Sequence, residues 1–189
     1  MEIVMGERGD AEELAFVLAE AFHDDALTRW IVPDGEVRRR VLPDFFRVFV
    51  DLSLAHGSVF TTSERDGVLL ALPPGASPLC ARQEREIARR MRDVLGEGAE
   101  RMAEISARQV EHHPREPHWY ISFCGVLHAR TGVGRLLATG FLERCTGPMY
   151  VEASSAAGLA GAHLMGFRPL GGRIQIPDGP QLVPMWRAA

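Results

Sequence analysis

The chain has 189 residues, a hydrophobic fraction of 46%, a charged fraction of 24% and a formal net charge of −4. These values predict one globular domain over residues 1–189 and argue against a nucleic-acid-binding protein, which usually carries a basic surface. All 21 basic residues counted in this charge are arginine. The sequence contains neither lysine nor asparagine, so neither side chain is available for catalysis.

The cysteines and the N-terminal segment indicate the compartment. Cys80, Cys124 and Cys145 are odd in number and widely spaced, which argues against a disulfide framework or a CxxC metal site. The segment 1–10 shows no cationic stretch followed by an apolar one, and no apolar run approaches the roughly 20 residues of a membrane span. We therefore expect a cytoplasmic protein with no membrane partner.

The first half of the chain predicts a strand, two helices and a hairpin. The helices follow from apolar residues at helical spacing, with Asp10 as the first N-cap and Pro43 inside the second helix. The Asp66-Gly67 pair between two apolar runs indicates a tight turn. The predicted ranges are a strand at 2–7, a helix at 10–25, a break at 26–36, a helix at about 36–56 and a hairpin at 57–75.

The second half alternates helices with strands. Arg and Glu at helical spacing predict one or two surface helices, interrupted near Gly96–Gly98. A nearly continuous apolar run ahead of "HARTGVGRLL" is typical of a strand inside a sheet. The predicted ranges are surface helices at 80–111, a strand at 114–127, a turn and helix at 128–145, a strand at 148–154, a weak helix at 156–167 and two short strands at 171–187. This order predicts a mixed α/β domain.

The turn at the start of the segment 128–145 either binds a phosphate or only packs a strand against a helix. A helix N-terminus offers unpaired N–H groups to an anion, and Gly132 and Gly134 remove side chains that would keep a phosphate at a distance. A Rossmann fingerprint is excluded because Leu137 stands where its third glycine belongs, and a Walker A motif is excluded because it requires a lysine.

The segments "HWYISFCGV", "GVGRLLATGFLER", "MYVEAS", "GF" and "PDGPQLVPMWR" together resemble the GCN5-related N-acetyltransferase (GNAT) superfamily. "AFHDDALTRW" and "LALPPG" match a bacterial branch of it, so the resemblance covers nearly the whole chain. It implies a mostly antiparallel central sheet of about six or seven strands flanked by helices, with strands four and five splayed apart. It also implies acetyl-CoA or another acyl-CoA as donor. The residues implied to bind it are Cys124, Gly125, Val126, Arg130, Thr131, Gly132, Val133, Gly134 and Arg135.

The sequence departs from the family pattern at four places. Ala129 stands where the pyrophosphate turn usually begins with Gln or Arg, and Gly158 stands for a favoured Asn. Ala162 replaces the Tyr that serves the family as general acid toward the leaving thiolate. Ala71 replaces a bulky residue, commonly Trp, and should widen the pocket, so that a somewhat larger acyl group than acetyl is possible.

Amine acylation needs a base, an oxyanion donor and a proton for the thiolate. Glu152 is the predicted base, with a structural or surface carboxylate as the alternative. The candidates to supply the proton lie near the position of the lost Tyr and are His163, Ser154 and Ser155. His163 is one residue from that position and therefore lies about 100° round the helix. Water could supply the proton instead. The resemblance further implies that the substrate contacts Asp24, Asp25, Trp30, Ala71, Tyr120 and Ser154. For Asp24 and Asp25, the alternative is a solvated pair at a helix end.

Other groups with possible chemistry have simpler interpretations. Cys124 could carry an acyl group, but a free cysteine in an apolar strand usually belongs to the core. His112, His113 and His118 lack the spacing of a metal motif, so an ordinary loop and no metal are predicted, although His118 could line the site. Trp119 and Trp186 are expected in the core.

Three functions remain open from the sequence. The first is an acyl-CoA-dependent N-acyltransferase acting on a small-molecule amine, as a monomer or homodimer. The second is a degenerate GNAT-fold protein that binds acyl-CoA or a small ligand without transfer. The third is a GNAT fold reused for other chemistry in a specialised biosynthetic pathway.

Overall fold

The computed structural model describes residues 2–76, 80–128 and 132–189, and their helices surround one central sheet. The elements in chain order are β1 Ile3–Met5, a 3-10 helix Arg8–Asp10, α1 Ala11–Ala21, α2 Ala26–Ile31, α3 Gly35–Ala55, β2 Val59–Thr62, β3 Gly67–Leu72, α4 Ala81–Leu95, α5 Gly98–His112, β4 Trp119–Val126, α6 Val133–Arg144, β5 Met149–Ala153, α7 Ala156–Leu164, β6 Arg168–Pro169, β7 Ile174–Gln175 and β8 Gln181–Arg187.

The sheet has eight strands in the order β1-β2-β3-β4-β5-β8-β6, with β7 paired to β8. All pairs are antiparallel except β4 and β5, which run parallel. The mixed, mostly antiparallel sheet expected from the sequence is therefore confirmed. Strand β6, a two-residue segment, brings the number of strands above the six or seven that were expected.

Alternating side chains of β3 divide the core between the two faces of the sheet. Val68 and Leu70 join a cluster with α1 and α3, whereas Leu69 and Ala71 join a second cluster with α6. Successive strand residues point to opposite faces, so a fully apolar strand such as β3 can serve two helical layers at once. The sheet is thus covered on one face by α1 to α5 and on the other by α6 and α7.

Strands β4 and β5 pair over only three residues each and then part. The paired positions are Trp119 with Met149, Tyr120 with Tyr150, and Ile121 with Val151. Beyond them β4 continues to Val126 and β5 to Ala153, and a bulge opposite Leu70/Ala71 bends β4 where the two strands separate. The expected splay is confirmed, and it opens a gap in the middle of the sheet.

Local sequence accounts for most helix and strand boundaries, and the structure differs from the predicted ranges at two places in the first half of the chain. Asp34 caps α3 by accepting from the Val37 amide at 2.8 Å, and Pro43 is accommodated inside that helix. The break expected at 26–36 contains the short helix α2, because the Asp25 side chain caps it by accepting from the Leu27 amide. The first helix ends at Ala21 and not at 25. No helix among the described residues combines the length and the apolar character needed to cross a bilayer.

Candidate active site

A cavity of 1970 Å³ opens at the gap between β4 and β5. Pockets for single small ligands are usually about 300–1,000 Å³, so this space can hold two molecules at once. Its lining comes from both faces of the sheet. We call the part lined by Phe49, Met91, Met102 and Gln109 the α5 arm, and the part lined by Cys124, Gly134, Arg135, Ala138 and Gly158 the α6 arm.

Glu152 lies in the gap, one residue beyond the last pair that joins β5 to β4. One carboxylate oxygen accepts from the Tyr120 hydroxyl at 2.8 Å and from the Gln109 side-chain amide at 3.2 Å. The other oxygen, Oε1, is buried and has no hydrogen-bond partner among the described residues. Burial raises the pKa of Glu152 to about 7, although the hydrogen bonds from Tyr120 and Gln109 oppose that rise. A carboxylate with this pKa can accept a proton at neutral pH.

An aromatic cluster lies against this carboxylate at the end of α5. The ring of His113 is 5.0 Å from that of Tyr120, 5.2 Å from that of Tyr150 and 4.9 Å from that of His118. Burial, and secondarily the neighbouring His118, lowers the pKa of His113 to about 4, so this ring is neutral at pH 7. Burial raises the pKa of Tyr120 well above its ordinary value, which keeps its hydroxyl a hydrogen-bond donor to Glu152.

The two serines after β5 hold two different segments, the loop between α1 and α2 and the start of α7. Ser154 donates to Asp25 Oδ2 at 2.9 Å, and both residues line the cavity. Ser155 caps α7 by accepting from the Gly158 amide at 3.1 Å. Asp24, in contrast, is exposed and lies 3.3 Å from His23 Nδ1, outside the lining.

The N-terminus of α6 opens on the α6 arm. Gly132 has a left-handed backbone with φ 86°, and the first intrahelical hydrogen bond runs from the Leu136 amide to the Gly132 carbonyl. The amides of Val133, Gly134 and Arg135 precede that bond, so no carbonyl within the helix accepts from them and they can bind an anion. The Val133 side chain is buried in the core, whereas Gly134 and Arg135 line the cavity. Arg130 and Thr131, and also Ala129, lie outside the described residues.

The part of β4 beyond the split contributes backbone to the cavity wall. A Cβ at Gly125 would lie 2.9 Å from that of Ala21, so this glycine allows α1 to pack against β4. Cys124 is exposed to the cavity, yet the surrounding protein excludes enough water to raise its pKa to about 11. A thiol with this pKa is protonated at neutral pH, which argues against the acyl-cysteine route. Val126 lies beside α6, 3.7 Å from a Cβ built on Gly134.

Besides Asp24, three residues predicted as substrate contacts or as the proton donor do not line the cavity. Trp30 donates from its indole nitrogen to the Asp178 carbonyl at 2.9 Å and so fixes the turn between β7 and β8. Ala71 is fully buried in the core on the α6 side, so it does not widen the cavity as the sequence suggested. His163 is exposed on α7, in keeping with its offset of one residue from the position of the lost Tyr.

The structure brings together Glu152, Tyr120, Ser154 and Asp25, all of which the sequence singled out. It adds Gln109 and Tyr150, which sequence reasoning missed, and it places the ring of the loop residue His113 against those of Tyr120 and Tyr150. Gln109 carries no local signal, because it is one polar residue on a helix rich in Arg and Glu. Among the described residues, no group of three or more His, Cys, Asp or Glu side chains is arranged to hold a metal ion.

No family model matches the chain. Solved structures resemble it over almost its whole length. The structure of histone acetyltransferase HPA2 and related acetyltransferase from Corynebacterium glutamicum is 24% identical, with a TM-score of 0.73, covering 99% of this chain and 95% of that one. Arylalkylamine N-acetyltransferase 2 from Aedes aegypti is 12% identical, with a TM-score of 0.62, covering 99% and 98%.

A polyamine N-acetyltransferase from Drosophila melanogaster that forms N-acetylagmatine is 14% identical, with a TM-score of 0.63, and 99% of each chain is covered. At these identities the likeness concerns the fold. The chain has the fold of the GNAT acetyltransferases, as its sequence motifs implied.

Proposed function

We propose that this protein is an N-acyltransferase that transfers an acyl group, acetyl in the simplest case, from acyl-CoA to a small-molecule amine. The observation that carries the proposal is Glu152, a buried carboxylate whose pKa is raised to about 7 in a cavity with room for two ligands. Two of the structural neighbours are an arylalkylamine N-acetyltransferase and a polyamine N-acetyltransferase, which supports an amine as acceptor. The free thiols of Cys80, Cys124 and Cys145 suit a reducing cytoplasm.

The residues of the α6 arm fit an acyl-CoA. The helix-end amides of Gly134 and Arg135, with the Arg135 side chain, would hold its pyrophosphate. The edge of β4 that faces the gap, beyond Ile121, has lost its strand partner and would take the amide-containing arm of the donor. Acyl-CoA supplies the acyl group as a reactive thioester.

Glu152 has the chemistry of the general base. An alkylammonium has a pKa near 10 by analogy with lysine, so its proton must be removed before the nitrogen can attack a carbonyl. Tyr120 and Gln109 both bind the same oxygen of Glu152 and act as positioning residues. Their hydrogen bonds also keep the pKa of Glu152 from rising further, which preserves an ionised fraction at pH 7.

The departing thiolate needs a proton, and Ala162 in the lining has no group to give one. A thiol of ordinary pKa, about 8.5, makes a stable enough leaving group that water can protonate it after the bond breaks. Backbone N–H groups at the open edge of β4 are available to the oxyanion that forms before this step.

The test measures acyl-CoA binding and thiol release separately. Acetyl-CoA at about 100 times its dissociation constant should stabilise the protein by about 2.7 kcal/mol, and free thiol should appear with a suitable amine. Glu152→Gln should keep the stabilisation and lose at least about 100-fold in thiol release. Stabilisation with no thiol release from a panel that includes arylalkylamines, alkylamines, agmatine and spermidine would favour the binding protein. No stabilisation by any acyl-CoA would refute the proposal.

A further inference from the structure

We infer that the acceptor is an amine with a single cationic end and an apolar body, an arylalkyl or alkyl chain that fills the α5 arm. This inference rests on the proposed function, because Glu152 would receive the proton of that cationic end. It adds a substrate class, which the lining of the α5 arm determines and the fold does not.

One wall of the α5 arm is formed by aromatic rings that are only partly covered. Phe123 on β4 packs edge-on against Phe22, with ring centroids 5.6 Å apart, and lies 4.9 Å from Phe49 of α3. All three rings are half-buried and line the cavity. Aromatic rings prefer edge-to-face or offset neighbours, so the uncovered edges and faces of this cluster suit another ring or a methylene chain.

The opposite wall comes from α4 and α5 and is also apolar. Ile87, Met91 and Met102 line it, and the two methionines offer flexible, polarizable side chains that adapt to different shapes. Four charged residues of these helices border the cavity and are exposed to solvent: Glu84, Arg92, Glu100 and Glu111. Water therefore solvates the charges at the entrance, and apolar groups remain along the walls.

Carboxylates inside the arm determine how many cations it can hold. Among the described lining residues that are not exposed, these are Asp25 and Glu152. Asp25 already accepts from the Leu27 amide and from Ser154, whereas Glu152 Oε1 has no partner in the described part of the chain. One cation is thus served at Glu152. A second cation on the same acceptor would have to compete with the Leu27 amide and Ser154 for Asp25, or would lie among phenylalanine and methionine side chains without a counter-ion, and both are unfavourable.

An apolar body in this arm could belong to the acceptor or to a long acyl chain. The arm lies on the α1–α5 face with Glu152, whereas the amides for the pyrophosphate lie on the α6 face, and the two meet at the gap. A donor entering from α6 places its carbonyl at the gap and leaves the space beyond Glu152 to the amine. This geometry assigns the arm to the acceptor.

The experiment measures kcat/KM for thiol release with acetyl-CoA and ethylamine, hexylamine, 2-phenylethylamine, agmatine or spermidine. Burial of a methylene contributes a factor of roughly four, so hexylamine should exceed ethylamine by at least about 50-fold. 2-Phenylethylamine should behave like hexylamine, and the two polycations should fall at least about 50-fold below both. Higher kcat/KM for agmatine or spermidine than for hexylamine would overturn the inference.

A variant narrows the arm without disturbing the core. Ala103→Phe changes an exposed residue of α5 that lines the cavity, and it should reduce the ratio of hexylamine to ethylamine kcat/KM by at least tenfold. Ala81→Phe, at an exposed residue of α4 outside the lining, is the matched control and should leave that ratio within twofold. An unchanged ratio in Ala103→Phe would place the apolar body elsewhere and overturn the inference.

Two further measurements distinguish an apolar chain on the acceptor from one on the acyl group, and distinguish failure of the transferase proposal from failure of this inference. Hexanoyl-CoA replaces acetyl-CoA with ethylamine as acceptor; a gain in kcat/KM that Ala103→Phe removes would assign the arm to the acyl chain and overturn the inference. Calorimetric binding of 2-phenylethylamine is measured alongside. Binding that Ala103→Phe weakens, with no thiol release from any amine, would refute the transferase but support an apolar amine in the α5 arm. Thiol release only with spermidine or agmatine would support the transferase and refute this inference.

Discussion

Replacing Glu152 with glutamine should make the protein more stable at alkaline pH while it removes the base. The pKa of Glu152 is raised from an ordinary value of 4.5 to about 7, chiefly by burial. Between these two values the folded state keeps a proton that the unfolded state has released. Stability from this group is therefore present below about pH 4.5 and is lost as pH rises through about 7.

The size of the effect follows from the same two pKa values. Each tenfold change in an ionisation constant corresponds to about 1.4 kcal/mol, so above pH 7 the ionised carboxylate costs the fold up to about 3 kcal/mol. Glutamine has the same shape and keeps an oxygen for the Tyr120 and Gln109 donors, but it is never charged. For a chain of this length, about 3 kcal/mol raises the melting temperature by roughly 6–12 °C.

The assay compares the melting temperatures of the wild type and Glu152→Gln at pH 5 and pH 8, together with thiol release at pH 8. We expect a higher melting temperature for the variant at pH 8, a much smaller difference at pH 5, and a rate lower by at least about 100-fold. Glu143→Gln, at an exposed position of α6, is the matched control and should change stability by less than about 0.5 kcal/mol at either pH. If the variant melts at or below the wild type at pH 8, Glu152 is not a buried carboxylate held ionised at a cost.

Three further results are expected. Tyr120→Phe removes a donor to Glu152, so the acidic limb of the kcat/KM–pH profile should move upward from about 7 by about one pH unit; an unmoved limb would exclude Tyr120 as a positioning residue. Gly132→Ala, at φ 86°, and Gly147→Ala, at φ 101°, should each lower stability by about 1–2 kcal/mol in thermal melts, but only Gly132→Ala should also weaken acetyl-CoA binding. Cys124→Ala should keep thiol release within about threefold of wild type, because its pKa of about 11 leaves the thiol protonated; a 100-fold loss would instead support an acyl-cysteine.

The fold was predictable where one physical signal dominated a long segment. Apolar residues at helical spacing predicted α3 despite Pro43, and Asp66-Gly67 predicted the hairpin of β2 and β3. The short elements escaped detection for a different reason. Helix α2 has six residues and follows from one side-chain cap at Asp25, and β6 has two residues that become a strand only by pairing with β8. Segments of this length carry too little periodicity to be recognised.

The site was predictable to the extent that strand register determines it. Once β4 and β5 are recognised as parallel neighbours, pairing of Tyr120 with Tyr150 brings Glu152 next to the Tyr120 hydroxyl. Gln109 comes from a helix that is distant in the sequence from both strands, and only the packing of α5 over the gap brings it within 3.2 Å of Glu152. Trp30 shows the opposite case, because its motif matched while its side chain is used to hold a turn.

The choice between a catalytic and a structural carboxylate at Glu152 depends on the sign of its contribution to stability. A structural carboxylate is usually hydrogen-bonded and paired with a cation, which lowers its pKa. The pKa of Asp10 is lowered in this way, first by the hydrogen bond from the Glu7 amide and then by Arg65 at 2.7 Å. Glu152 has no arginine partner among the described residues, leaves Oε1 unsatisfied and has a raised pKa. Its burial therefore opposes folding at neutral pH, and two hydrogen-bond donors nevertheless hold it in the one place where the sheet opens. A residue that destabilises the fold while its neighbours orient it is expected where function requires it.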